Sequence, residues 1–290
     1  MSNAQNKTIL HTEQLQHITH KLSRQIIEIT TNAGSGHPSS SLSMIDILTV
    51  LYFGDVMNHA PQEPHWAERD RFILSKGHGA PGLYVTLAEA GYFDNNLIYT
   101  LRETGSPLEG HPNMRALPGV EASTGSLGQG LSIGIGHALA ARVDKLDYRV
   151  YVLIGDGEAD EGQIWEAALS AAKFKLDNLT CILDYNQFQQ TGAVHEVMPS
   201  MLPFAEKWQA FGWDVKEIDG HDIPQIKGAF AHAKTVKNQP QVIVAHTKKG
   251  KGLSPFEDDD TNRMHGKALT LEQTTTALQE LDRMYNSEEV

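Results

Sequence analysis

From residue 149 onward the chain repeats one unit, a short strand-like run, continuously apolar in the first case, followed by a helix-length segment. Val150-Tyr151-Val152-Leu153-Ile154 leads into a helical pattern over about 162–174. Leu179 to Leu183 is the next such run, Trp213 to Ile218 another, and Gln241 to His246 the last. A strand that is apolar at every position has no face to offer water, so both its faces must be covered. Strands of this kind alternating with helices predict an α/β fold, a mostly parallel sheet with helices on both faces. Before this region, Leu15, Ile18, Leu22, Ile26 and Ile29 recur at helical spacing, which predicts a helix over 12–31. Gly36-His37-Pro38 then reads as a loop before a helix over roughly 40–53. Phe72-Ile73-Leu74 reads as a buried strand running into Ser75-Lys76-Gly77-His78-Gly79, with a further helix through about Ala90. With no Pro, Gly or Ser-rich linker and no internal repeat, residues 1–290 read as a single domain, with 1–10 and 286–290 as flexible tails.

Ligands of parallel α/β sheets bind beyond the carboxyl ends of the strands. Those ends are Gly155-Asp156-Gly157, Asp184-Tyr185-Asn186, and His246-Thr247-Lys248-Lys249-Gly250-Lys251-Gly252. The expected site is the sheet edge that carries all three. Composition narrows the ligand by exclusion. A formal net charge of −12 argues against nucleic acid, no apolar run is long enough to span a bilayer, and a lone cysteine, Cys181, leaves no disulfide framework or thiolate metal site. A cytoplasmic setting follows. The acidic clusters Glu158 to Glu161 and Glu257 to Asp260 read as solvated loops.

Against 14 His and 25 Gly, about one Gly-His step is expected by chance. There are five: Gly36-His37, Gly77-His78, Gly110-His111, Gly136-His137 and Gly220-His221. Glycine allows close backbone approach, and histidine donates or accepts near neutral pH. The pattern suits a polyhydroxylated or phosphorylated ligand. Taken singly, His37, His78 and His111 read as loop histidines bonded to backbone. His137 falls inside a helical pattern and reads as structural, and Gly220-His221-Asp222 reads as a turn and helix start.

Gly155-Asp156-Gly157 alone reads as a tight turn. Asn186, thirty residues on at the mouth of the next strand, changes its meaning. A carboxylate oxygen from Asp156, an amide oxygen from Asn186 and the Phe188 carbonyl are three hard ligands. Such a set leaves positions open for phosphate oxygens and suits Mg²⁺. The Gly157 amide could face the phosphate where a side chain would block it. Lys248, Lys249 and Lys251 read either as an anion-binding loop or as a solvated turn.

This arrangement resembles the metal–diphosphate motif of thiamine-diphosphate enzymes. Ala33-Gly-Ser-Gly-His37-Pro, Arg71-Phe-Ile-Leu-Ser-Lys-Gly-His78-Gly, Gly110-His111-Pro, Thr124-Gly-Ser-Leu-Gly-Gln-Gly130 and Met264-His265-Gly narrow the resemblance to transketolases, in the family's order, from about residue 12 to about 270. The resemblance implies thiamine diphosphate and Mg²⁺ as cofactors, the metal on Asp156, Asn186 and the Phe188 carbonyl. It implies that His78, Gly155, Gly157 and His265 lie at the diphosphate, and that Gly125, Ser126 and Leu127 pack on the aminopyrimidine and thiazolium. His37, His78, His111 and His265 would surround the reacting carbon and the donor sugar, His111 at the donor's C1 hydroxyl, His37 and His265 moving protons. Glu161 and Glu166 resemble interfacial glutamates that connect paired active sites, although a helix dipole would also favour acids there.

In this family the cofactor's C2 carbanion adds to a ketose, and the resulting two-carbon unit passes to an aldose; the protein orients, shuttles protons and binds hydroxyls. Full-length transketolases are more than twice this long and carry a pyrimidine-binding domain with the cofactor-activating glutamate. Nothing here resembles that domain, and the polar end Asn286 to Val290 reads as a coherent finish. The expectation is therefore the N-terminal subunit of a split transketolase, a glycolaldehyde transferase acting on sugar phosphates, with a C-terminal pyrimidine-domain partner in an α₂β₂ heterotetramer. The competing expectations are the diphosphate-binding component of a 2-oxo acid dehydrogenase or deoxyxylulose-phosphate synthase, and a non-catalytic cofactor-binding protein. Gly110-His111-Pro and Met264-His265-Gly favour transketolase. A nicotinamide enzyme is disfavoured, since no apolar strand precedes Thr124 to Gly130.

Overall fold

A computed structural model describes residues 10–257, 259 and 261–287. Five parallel strands form the sheet: β1 (Arg71–Leu74), β2 (Val150–Gly155), β3 (Leu179–Tyr185), β6 (Asp214–Asp219) and β7 (Gln241–His246), in the order β1-β2-β3-β7-β6. β4 (Phe188–Gln189) and β5 (Gly192–Ala193) pair antiparallel as a small separate hairpin directly after β3. The helices are α1 (Thr12–Ala33), α2 (Pro38–Leu42), α3 (Ile45–Phe53), α4 (Ala80–Glu89), α5 (Gly130–Asp144), α6 (Gly162–Lys173), α7 (Val194–Val197), α8 (Phe204–Ala210), α9 (Ile223–Thr235), α10 (Ser254–Glu257) and α11 (Leu271–Ser287). Among the described residues no helix is long and apolar enough to cross a membrane.

The apolar strands divide their side chains between two cores with the two-residue period of a pleat. Val150, Val152 and Ile154, with Cys181, Leu183, Val242 and Val244, pack under α5, α6 and α8. Tyr151, Leu153, Ile182 and Ile243 face the opposite layer of α1, α3, α4, α9 and α11. Each such buried aliphatic side chain contributes roughly 1.5–3 kcal/mol over an exposed one, so the sheet holds both layers and the strand ends stay in fixed register.

Two sequence expectations change. The helix over 40–53 is two helices, α2 and α3, broken at Ser43-Met44. The serine run explains the break, because the Ser41 hydroxyl donates to the His37 carbonyl at 3.0 Å and competes with the helix ladder, while the Ser43 hydroxyl is turned to the Asp184 carboxylate at 2.6 Å. The strand expected from Trp213 begins at Asp214, since the Trp213 indole is buried beneath α6 and donates to the Ala168 carbonyl. Of the expected flexible tails, residues 1–9 and 288–290 lie outside the described residues. Leu10 packs partly buried on the core, and α11 runs to Ser287.

Candidate functional site

The strand register sets the polar ends side by side: Gly155 lies opposite Asp184, Asp184 opposite Ala245, and Tyr185 opposite His246. Asp184 is fully buried and accepts from the Lys76 ammonium, the Thr247 hydroxyl and the Ser43 hydroxyl (2.6 Å). Burial alone would raise its pKa. The Lys76 charge and these donors reverse that and hold the carboxyl below its ordinary value. Lys76, 1% exposed, also donates to the Ser40 carbonyl at 2.9 Å. One buried ion pair thus ties α2, the β1 loop and β3 together.

Asp156 has no such cation. Its Oδ1 accepts from the Gly157 amide at 2.8 Å, and its buried Oδ2 has no partner. Burial first, and then the Asp184 carboxylate, push its pKa up to about 7. Asn186 is buried beside it, donating from Nδ2 to Asp184 (3.3 Å) and accepting at Oδ1 from the Phe188 amide (3.2 Å). Gln187, in the left-handed region (φ 72°), makes the turn that delivers Phe188. The three candidate metal ligands therefore sit on one turn and the adjacent strand end. Among the described residues no three His, Cys, Asp or Glu side chains group as a metal cage.

Gly157 follows directly and lines the cleft described below. Its amide is turned onto Asp156, and the space a side chain would take is filled by Gln189 of the small hairpin. Glycine is required there by packing.

Opposite Asp156 stand the histidines. The His37 and His78 rings are 5.0 Å apart, His37 and His265 5.3 Å, and His78 and His265 5.9 Å. Burial lowers all three pKa values. His37 falls to about 4, with Arg102 and His111 adding to the effect, His265 to about 3 with Lys249 adding, and His78 well below its ordinary value with Lys76 adding. The imidazoles are neutral at pH 7. Lys249 Nζ donates to Asn262 and to His265 Nδ1 (2.8 Å), and an ammonium has no lone pair, so the ring hydrogen of His265 sits on Nε2. Burial lowers Lys249 to about 8, against the pull of Asp156, so it keeps most of its charge near neutrality. His111 lies exposed at the rim, its ring against Gly125, and its pKa is lowered by partial burial and Arg102.

A cleft of about 400 Å³ runs between the two walls. It is lined by His37, His78, His111, His265, Gly125, Leu127, Gly155, Asp156, Gly157, Asn186 and Phe188, so the structure brings most of the expected site together. A smaller cavity of about 190 Å³ shares Asn186, Phe188 and His265 and adds Lys249 and Asn262. Ser126, Glu161 and Glu166 do not line the cleft. All three are exposed, Glu161 with its stem against Gly128 at the start of α6.

Four residues gain roles here that the sequence left open or unassigned: Lys249 was read as either an anion-binding loop or a solvated turn, and Lys76, Asp184 and Glu158 were given no role. Lys76 and Asp184 form the strut, and Lys249 is the pocket cation; each stands at or just beyond a strand's carboxyl end, the signal that pointed to Asp156. Glu158 is the fourth, read as part of a solvated acidic cluster but 2% exposed. It accepts from the Ser75 hydroxyl and from the amides of Gly128 (2.8 Å) and Gly155 (3.0 Å), joining the 124–130 loop to both strand ends. That loop lies so close to the β1 loop that a methyl at Gly77 would meet the Thr124 side chain at 2.8 Å.

Residues 16–286 match the family model for the transketolase thiamine diphosphate binding domain. The chain is 42% identical over 272 residues to one of the apulose-4-phosphate transketolase subunits of Phocaeicola vulgatus, covering 94% of this chain and 95% of that one. It is 44% identical over 269 residues to the 6-deoxy-6-sulfo-D-fructose transketolase subunit SqwG of a Clostridium species, covering 93% and 96%. Against human transketolase it is 40% identical over 268 residues, covering 92% of this chain but 42% of the human one. The crystal structure of Campylobacter jejuni transketolase superposes with a TM-score of 0.87 at 32% identity, over 94% of this chain and 43% of that chain.

Proposed function

The chain belongs to the transketolase family, and from that premise we propose that it is the cofactor-holding subunit of a two-subunit transketolase that moves a two-carbon ketol unit from a ketose to an aldose. One observation carries the reading. The chain matches nearly the whole length of relatives named as transketolase subunits, and less than half of the one-chain enzymes. Its partner would carry the pyrimidine-binding domain, in an α₂β₂ assembly. The two subunit relatives are named for a sugar phosphate and a sulfonated sugar, so a ketose with an anionic tail is the substrate class. A single buried Cys181 accords with a reducing, cytoplasmic setting.

The cleft fits thiamine diphosphate and Mg²⁺. Asp156 Oδ2 is buried without a partner, and burial with the Asp184 carboxylate beside it pushes the pKa up to about 7, an uncompensated pair of acids that a bound cation would neutralise. Asp156, Asn186 and the Phe188 carbonyl would hold Mg²⁺, which binds few protein ligands together with phosphate oxygens. Lys249 would set its ammonium against the diphosphate, and His78 and His265 would donate to it. When bound, thiamine diphosphate supplies the nucleophilic carbon and the electron sink for breaking and making the carbon–carbon bond.

What remains for the protein is placement and proton movement. A neutral imidazole can take a proton at the donor oxygens without first losing a charge, which suits His37 to that work, whereas His265, its Nδ1 held by Lys249, can only donate from Nε2. His111, at the rim, would hydrogen-bond the donor's C1 hydroxyl. Glu161, just before α6, and Glu166, on α6, are both exposed and free to meet the partner subunit.

The test is a coupled assay of aldose-phosphate release from a ketose phosphate, with the chain alone and with its partner. Turnover is expected only with the partner, because the carboxyl that activates the aminopyrimidine in this family comes from the pyrimidine domain. Robust turnover by the homogeneous chain alone refutes the two-subunit reading.

A further inference from the structure

The Gly220-His221 turn, between β6 and α9, lies outside the cleft and read from sequence as an ordinary helix start. We infer that this turn is a positioning element for the cofactor-binding cleft, acting on Lys249 through the backbone of residues 247–251. The inference rests on the reading of Lys249 as a diphosphate contact.

The two loops are built against each other. The Gly220 amide donates to the His246 carbonyl at 2.8 Å, and a methyl at 220 would run into the Thr247 side chain. That same threonine's hydroxyl donates to Asp184, the partner of Lys76. One residue on, the Lys248 amide donates to His221 Nε2 at 2.8 Å. A backbone N–H can only donate, so Nε2 is unprotonated and Nδ1 carries the ring hydrogen. Nδ1 then donates to Asp46 Oδ2 at 2.8 Å, on the first turn of α3.

Asp46 is 4% exposed and also faces the Lys251 ammonium at 3.4 Å. Burial would neutralise it, but Lys251 and His221 hold its carboxyl below its ordinary pKa. A fixed anion thus orients His221, and the oriented ring fixes the amide that precedes Lys249. On the far side of Lys249, the Gly250 amide is held by the Ser39 carbonyl at 3.0 Å. Lys249 is therefore clamped between two anchored backbone amides, one of them set from behind by a histidine that does not reach the cleft. Ligand-binding groups need placement within about half an ångström, and such supporting contacts provide it.

The experiment titrates thiamine diphosphate with Mg²⁺ into the assembled two-subunit protein by calorimetry, for His221→Ala, His221→Gln, Lys249→Ala and the His221→Ala/Lys249→Ala double variant. His221→Ala is expected to weaken cofactor binding about three- to tenfold, the scale of one lost buried hydrogen bond. His221→Gln, which can both accept from Lys248 and donate to Asp46, should recover most of it. His221→Ala should add nothing to Lys249→Ala, because residues acting through one another are not additive. A general loss of stability would instead leave the glutamine variant impaired and the two effects additive. Should His221→Ala fold poorly, Gly220→Ala, which pushes on Thr247, is expected to weaken binding in the same non-additive way. Weakened binding in Lys249→Ala with wild-type binding in His221→Ala and Gly220→Ala overturns the inference alone. Wild-type binding in Lys249→Ala overturns the reading beneath it and the inference together.

Discussion

The two walls of the cleft use burial to opposite ends. On the β2–β3 wall, burial concentrates charge: Asp184 and Lys76 are locked together, and Asp156 is left with an unpartnered oxygen beside them. On the histidine wall, burial removes charge, leaving His37, His78 and His265 neutral within 6 Å of one another. The first wall stands on strand ends in fixed register, the second on loops held by glycine contacts and side-chain bonds. A metal–diphosphate site calls for the first kind of environment. A sugar whose hydroxyl protons must move calls for the second.

If the walls differ in this way, the charged wall should respond most strongly to substitution. Lys76→Met leaves Asp184 buried and unpaired, and should cost about 3–5 kcal/mol of stability in chemical denaturation. A loss below about 1 kcal/mol would mean that the pair is no strut.

Next in size, Asp156→Ala should abolish Mg²⁺-assisted cofactor binding, a loss on the order of 3 kcal/mol or more, while Asn186→Ala should cost about 1 kcal/mol. Calorimetric titration separates them. Equal losses would break the distinction between a charged and a neutral ligand, and unchanged binding in Asp156→Ala would remove the metal site.

The other wall should show its weight in turnover. His111→Ala should leave cofactor affinity intact and lower kcat/KM for ketose donors by about tenfold, since one hydroxyl loses its partner. Being exposed at the rim, it should shift stability by no more than about 0.5 kcal/mol. A variant that loses the cofactor instead would move His111 to the other wall.

The smallest effect concerns pH. His37 and His265 titrate at about 4 and about 3 in the folded chain, below the ordinary 6.5. A depressed folded value means that stability present above pH 6.5 is lost as pH falls toward the folded values, because the unfolded chain takes up the protons first. His37→Gln should flatten part of that acid slope in a series of melting temperatures. An unchanged slope would show that the ring is not desolvated as the structure has it.

How much of this was legible beforehand depends on which force places each residue. Asp156, Asn186 and Phe188 follow directly from reading fully apolar runs as parallel strands, because ligands gather where such strands end. His37, His78, His111 and His265 were legible from motif resemblance, their Gly-His pairing suggesting only a polar ligand. Lys249 was left between an anion-binding loop and a solvated turn, and Glu158 was not legible. A lysine among glycines and an acid in an acidic cluster both look solvated, and only packing shows that Asn262 and His265 engage one, and two amides and a hydroxyl the other. His221 passed as a turn for the same reason, its partners Asp46 and Lys248 being distant in sequence.

The sequence by itself determined the α/β class, the sheet edge that carries the cleft and many of the residues that line it, since these depend on local apolar periodicity, on residues adjacent to strand ends and on motif resemblance. The tertiary structure decided the strand order, the pairing of Lys76 with Asp184, the unpartnered state of Asp156 and the neutrality of the histidines. Each of those depends on which groups share a buried space. Burial and charge pairing are set by neighbours far along the chain, so they exist only once the sheet and its two helical layers have closed.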